Sequence, residues 1–540
     1  MKAGAGVAGA FAGGSLMGIS AIDLVMPTDA AAQDDPRGTL IMRGSASSFP
    51  LTFNPLLNDT RIWLFDGLVR FDKDVKPIPD LAESWTISAD GLVYTFKLRQ
   101  NVTFHDGKPM TADDVVFTAQ LTLDEKINSP YRSKFVIDGK PVVWAKVDVY
   151  TVTATLPSPS GSFLAKCSRA DEIFFCILPK HLLEGVTDMT TADFNSHPIG
   201  TGPFKFVSYD TDQQVVTASH DDYHQGKPGL KQVVRLKYDA EQSALAALQS
   251  HDVDISGMRE AGNVKAAEGD KSLTVKSYFS NWIFAARYNS GNPILAELPV
   301  RQAINYAIDR ENLCRAAVSP TATIGNSPVS IGWAASPNVT VFNYDPEKAK
   351  SILTAAGWIG DGIREKNGKK LSVTLSIYPD YAAPDIAAGM QQLLLAIGVD
   401  LQIKQLEAAT FNTEIYTNRK FDLYLDWQGF GVDPDIASRW LTATATTGSY
   451  VDNPSGYTNP QVDVELSAAT VALTQADRQA HLWKAQDLLT ADAPCLWLYL
   501  FEAIVAMGPG VAGFNDPGTT GDMDNSGFFM EPWKLTSARK

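Results

Sequence analysis

At 540 residues, 45% hydrophobic and 20% charged, the chain has the length of two to four domains of about 150 residues each. Its formal net charge of -15 argues against a nucleic acid as the main partner and describes a solvated acidic surface.

In chain order the first element is a leader. Lys2 precedes the uncharged run AGAGVAGAFAGGSLMGISAI, and Ala30-Ala31-Ala32 stands before Gln33 as a small-residue cleavage pattern. Residues 1–32 therefore read as an export signal; a transmembrane anchor would carry more bulky apolar residues. No cysteine lies near the cleavage site, so no lipid anchor is expected. The expected mature protein is exported, most simply to the periplasm, and diffuses freely as a monomer.

GLVYTFKLR (91–99) and KQVVRLKY (231–238) read as strands. MTADDVVFTAQLTLDE (110–125) reads as a helix with Thr111 and Asp114 as a capping box and Val115, Ala119 and Leu123 inward. YDPEKAKSILTAAGW (344–358) is a helix with Asp345 as N-cap, Pro346 in its first turn and Gly357 as its stop. LSVTLSIY then places Leu371, Val373, Leu375 and Ile377 on one strand face. A helix follows with Ile386, Met390, Leu393, Leu394 and Ile397 inward, ended by Gly398, and Val399, Leu401 and Ile403 alternate again. This β-α-β pattern predicts parallel strands. FDLYLDW (421–427) adds another strand, and the run from Cys495 reads as a buried strand pair because Glu502 and a Gly-Pro-Gly break exclude a membrane span. Cys167, Cys176, Cys314 and Cys495 allow three pairings or free thiols, and sequence does not choose. The class is mixed α/β with at least two sheets.

A search for reacting groups finds few. His220 and His224 have the spacing of a zinc pair, but their run ends in a Gly-Lys-Pro-Gly turn without a glutamate base, so a solvated loop is expected. IGTGPFKF (199–206) lacks the phosphate-cradling pattern and reads as a tight turn. No G-x-S-x-G elbow is present. The remaining enzyme reading is a glycosidase acid pair in DWQGFGVDPD (426–435), yet Asp433 and Asp435 flank Pro434 as turn-capping aspartates do. No catalytic residue, metal or cofactor is expected. The motif follows a strand, where open α/β sheets present ligands.

HDGKPMTADDVVFTAQ (105–120), IGTGPFKF, YHQGKPGLKQVVRL (223–236), PVRQAINYAIDRENL (299–313) and YDPEKAKSILTAAGW together resemble extracellular solute-binding proteins of family 5. The matches run in the family's order across nearly all of the mature chain. The resemblance implies a two-lobed, type II-like periplasmic-binding-protein fold with an extra third domain and a cleft between the lobes. It implies a non-enzymatic protein that passes a small-molecule ligand to an ABC permease and ATPase complex in the inner membrane. Domain I would comprise residues 33–68, 200–288 and 501–540, domain II residues 69–199, and domain III residues 289–500.

Dipeptide binders of this family typically show W-x-G-D-x-G-D-P-D where this chain has Trp427, Gln428, Gly429, Phe430, Gly431, Val432, Asp433, Pro434 and Asp435. The position of the ammonium-binding aspartate is thus Phe430, and no arginine for a peptide carboxylate stands between Ile377 and Asp385. A ring cannot replace a charge-assisted hydrogen bond of about 1.5–3 kcal/mol, so a standard dipeptide mode is disfavoured. The expected lining is Trp427, Phe430, Gly429, Asp433, Trp282, Trp440, Tyr378 and Tyr381, with Tyr131, Arg132 and Arg169 from domain II and Asn58 from domain I. Such rings suit an opine, a sugar or an oligosaccharide; an oligopeptide held through its backbone is the alternative.

Overall fold

The computed structural model describes residues 37–540 except 45–51, 53, 57–62, 73–75, 128, 130, 169–174, 212, 320–321, 380–381, 431–432, 446–451, 514–521, 524–528, 531–533 and 540. The leader lies outside the described residues.

After β1 (Gly38–Arg43), four strands build a sheet of their own: β2 (Ala82–Ile87), β3 (Val93–Leu98), β4 (Val143–Asp148) and β5 (Thr151–Thr155). Their order is β2-β3-β5-β4, antiparallel throughout. Helix α1 (Ala112–Leu123) packs over it, and its predicted Thr111/Asp114 capping box is formed. Phe96, Phe104, Val115, Trp144, Val152 and Phe163 fill the core between them.

The second sheet has ten strands. To β1 it adds β6 (Phe204–Asp210), β7 (Gln214–Ser219), β8 (Leu230–Leu236), β9 (Ile255–Met258), β10 (Thr274–Tyr288), β11 (Ser372–Ile377), β12 (Asp400–Gln405), β13 (Leu423–Gln428) and β14 (Cys495–Met507). The order is β6-β7-β8-β1-β9-β14-β10-β13-β11-β12. The strands on either side meet only through β14 and β10, which are 13 and 15 residues long. The ladder between these two shifts register between Phe279 and Ile283; β9 pairs with β14 at its Ile504–Met507 end, and β13 pairs with β10 over Ile283–Tyr288.

Beyond helices α2 (Leu298–Ala307) and α3 (Arg310–Ala317), the predicted β-α-β unit is present. β11 and β12 pair in parallel across α5 (Ala383–Leu395), and β13 adds in parallel to β11. The earlier helix is α4 (Pro346–Ala355), where the Asp345 carboxylate accepts from the Lys348 N–H at 2.9 Å. Gly357 and Gly398 take φ of 86° and 84°, the left-handed conformation that ends a helix without steric cost. Asp345→Ala is expected to remove about 1 kcal/mol of stability, read as a lower thermal midpoint. An unchanged midpoint would mean that the cap contributes nothing.

β14 corrects one expectation, since the run from Cys495 is a single strand and not a pair. Both of its faces are covered, which explains its unbroken apolar sequence. Leu496 and Leu498 join Ile304, Leu353, Leu375, Ile386 and Met390 on one side. Cys495, Trp497 and Leu500 join Val462, Leu466, Leu482 and Leu489 on the other, from α6 (Pro460–Val471) and α7 (Gln475–Ala491). All four cysteines are buried free thiols, and burial pushes Cys314 to about 12 and Cys495 to about 11. No described helix is long and apolar enough to cross a membrane.

The reading of His220 and His224 as a solvated loop is also corrected. His220 is 2% exposed and shares the Gly202 carbonyl with His105, at 3.1 and 3.0 Å. The His224 side chain is enclosed between Asp66 and Asp80, with nitrogen–oxygen distances of 3.9 and 3.4 Å. Among the described residues no group of three or more His, Cys, Asp or Glu is placed to hold a metal ion. IGTGPFKF, read as a tight turn, is instead an irregular segment that runs into β6 with neither glycine at positive φ; its glycines serve close packing, since a Cβ on Gly200 would lie 1.9 Å from the Leu64 carbonyl oxygen.

Candidate functional site

β13 ends within DWQGFGVDPD (426–435), and its alternation sorts the motif residues between two faces. Trp427 is half-buried and packs against Phe284 of β10 at 4.9 Å between ring centroids, and against Tyr499 and Phe501 of β14 at 5.3 Å each. The Arg259 guanidinium lies 5.1 Å over the Phe501 ring. Gly429 is on the same side as Trp427. A Cβ there would come within 2.4 Å of the Trp282 indole, so only glycine lets this ring lie across the backbone. The Arg439 guanidinium is 6.0 Å over Trp282. Trp427, Gly429 and Trp282 thus meet at the end of β13, beside the two long strands.

On the opposite face the residues turn inward. Phe430 is 6% exposed and packs with Ile283, Ile436 and Trp440. Trp440 is 1% exposed, wedged between Tyr457 and Trp497 under the Arg287 guanidinium at 4.5 Å. These positions correct the expectation that both rings face a ligand: Phe430, two residues past β13, and Trp440, the last residue of the short helix Ala437–Trp440, both lie in the core. Gln428 is likewise buried, its Nε2 donating to the Cys495 Sγ at 3.7 Å.

The motif's acids are engaged. Asp426 accepts from the Tyr416 hydroxyl and, at 2.7 Å, from the Trp427 N–H; burial raises its pKa against the pull of those donors. Asp433 is gripped through both oxygens by Arg478, one bond measuring 2.6 Å. Burial nevertheless raises the Asp433 pKa. Asp435 accepts from the Ser162 hydroxyl at 2.8 Å. A glycosidase needs one acid and one base presented to substrate, whereas Asp433 and Asp435 already hold protein partners.

The other expected residues are spread out. Tyr378 lies edge-on to Phe411 at 5.0 Å in a cluster with Tyr416 and Tyr424. Tyr131 is half-buried against the core beneath the small sheet, and Arg132 bonds the Leu123 carbonyl and Glu125 at the surface. Asn58, Arg169 and Tyr381 lie outside the described residues. Phe284, Tyr499, Phe501, Arg259 and Arg439 joined the aromatic patch unannounced. For Tyr499 and Phe501 the sequence signal was their i, i+2 spacing, which single-strand reading cannot assign to a partner; Phe284, Arg259 and Arg439 carried none.

A sheet spanned by two long strands, a second sheet unit and an aromatic patch beside the spanning strands define a two-lobed solute-binding fold. The profile of the bacterial extracellular solute-binding proteins, family 5, middle region, matches residues 76–450. The chain belongs to this family. It is 29% identical over 483 residues to the oligopeptide-binding protein AppA of Bacillus subtilis, covering 86% of this chain and 87% of that one. Among solved structures, the substrate-binding protein CtaP of Listeria monocytogenes superposes with a TM-score of 0.80 at 29% identity, covering 94% of this chain and all of that one. NikZ of Campylobacter jejuni, in complex with Ni(L-His), gives 0.79 at 27% identity over 93% of this chain and all of that one. These relatives are binding proteins, and the family is extracellular.

Proposed function

We propose that the chain is the periplasmic binding component of an ABC importer, exported with removal of residues 1–32 and working as a monomer. It captures a small organic solute between lobes and delivers it to a permease and ATPase in the inner membrane. The lobes follow the three-segment division, with domains I (33–68, 200–288, 501–540) and II (69–199) facing domain III (289–500). The observation that carries the ligand reading is the aromatic patch of Trp427, Trp282 and Phe501 with guanidinium groups over two of its rings. Such a surface stacks on sugar faces, flat rings or anionic heads, each contact contributing about 0.5–2 kcal/mol.

The favoured ligand is therefore a non-peptide solute such as an opine, a sugar or an oligosaccharide. The acid that holds a dipeptide ammonium is replaced by Phe430, whose ring is in the core, and Asp433 is paired with Arg478. An oligopeptide held mainly through its backbone is the second reading, favoured by the similarity to AppA of Bacillus subtilis.

Thermal unfolding against opines, sugars, oligosaccharides and peptides separates the two. A true ligand at a hundredfold excess over its Kd stabilises by about 2.7 kcal/mol. A dipeptide doing so would overturn the non-peptide reading. In calorimetric titration of folded protein, Trp427→Ala is expected to weaken binding of the ligand so found by about 1 kcal/mol or more. Unchanged affinity would place Trp427 outside the contact surface.

A further inference from the structure

The acids of DWQGFGVDPD that do not face a ligand meet another part of the chain. Ser162, in the loop after β5 of the small-sheet unit, donates to Asp435 at 2.8 Å. The neighbouring Gly161 N–H donates to the Thr470 carbonyl at 2.8 Å. Its own carbonyl accepts from Arg478 at 3.4 Å, the same guanidinium that grips Asp433. Leu473 lies against Gly91 in the same place. Burial works to protonate Asp435, but Lys166, Arg478 and the Ser162 hydroxyl outweigh it and hold its pKa below the usual carboxylate range. Asp435 is thus an ionised acceptor for a hydroxyl some 270 residues away in sequence. The small-sheet unit is tied to the segment leading into β6 by other bonds, among them His105 N–H to the Gly200 carbonyl at 2.9 Å and the His105 ring to the Gly202 carbonyl at 3.0 Å.

We propose that Gly161 and Ser162 on one side, and Asp435 with the Asp433-held Arg478 on the other, form a latch that keeps the lobes closed. The inference rests on the two-lobed reading above and adds that closure is held by the protein's own contacts as well as by ligand. Gly161 is the sensitive point. A Cβ there would come 2.2 Å from the Ala472 carbonyl oxygen and 2.7 Å from the Arg478 Cδ, both across the junction. Within its own loop its backbone needs no positive φ. A single methyl therefore obstructs docking while leaving each side able to fold.

The test measures a distance without any ligand. Spin labels go on cysteines introduced at the exposed Val147 and Ile359, since the native cysteines are buried. Double electron–electron resonance on ligand-stripped full-length protein is expected to show a main short distance. In Ser162→Ala, and independently in Asp435→Asn, the open-to-closed ratio should rise roughly tenfold, as loss of one charge-assisted hydrogen bond implies, and in Gly161→Ala it should rise through the steric obstruction. Distance distributions unchanged in all three variants would overturn the latch. So would a lowered melting temperature without a distance change, which would make the junction a permanent packing contact. Failure to bind any solute would leave this result standing, and failure of the latch would leave solute binding untouched.

Discussion

Replacing Arg478 by alanine is expected to lower the unfolding free energy by about 3–5 kcal/mol, the cost of leaving a buried charge without its partner. The Arg478 and Asp433 side chains are 8% and 11% exposed, and both Asp433 oxygens accept from the guanidinium. Asp433 already feels its burial, which raises its pKa in spite of Arg478. Without the guanidinium the carboxylate would have to protonate or draw in water. Asp433→Asn in the Arg478→Ala background should therefore recover part of the loss. Urea unfolding of both variants checks this, and a single-variant loss below about 1 kcal/mol would show the pair to be no more than a surface bridge.

Acidification below pH 6.5 is expected to destabilise the protein through its buried histidines. The His105 pKa is lowered to about 3, first by burial, with His220 and Lys205 adding to the shift and the Gly202 carbonyl opposing it. Its Nδ1 accepts from the Gly200 N–H at 3.2 Å, so the Nε2–H must donate to Gly202 and the ring is neutral. His220 shifts in the same direction, burial again leading. Below pH 6.5 the unfolded chain takes up a proton that the folded chain refuses until about pH 3. Stability therefore falls with pH by up to about 1.4 kcal/mol per unit for His105 across that window, and it gains nothing from this group above 6.5. Unfolding free energies between pH 6.5 and 4.5 should show this slope, reduced by about one proton in His105→Gln. An identical slope in the variant would contradict the assignment.

Local elements were legible because their signals are local. Asp345 and Gly357 mark both ends of α4, and the spacing of Ile386, Met390 and Leu394 gives the buried face of α5. Trp427 at the end of its strand followed from the alternation of Phe421, Leu423 and Leu425. The site was less legible because long-range pairing decides it. His220 and His224 sit in a polar run that looks solvated, and only the fold brings Asp66, Asp80 and His105 around them. Asp433 gave no sign of Arg478, 45 residues on. At Phe430 the sequence showed an uncharged residue, while the burial of its ring depended on Ile283, Ile436 and Trp440 closing around it. Trp440 went to the core for the same kind of reason, through a four-residue helix.

Mass spectrometry of freshly purified protein, native and then denatured, tests solute capture most directly. The account predicts a single small organic molecule bound per chain and released chemically unchanged, with readdition raising the unfolding midpoint of the stripped protein. Release of a hydrolysed or otherwise converted product, or turnover of the readded compound, would contradict it.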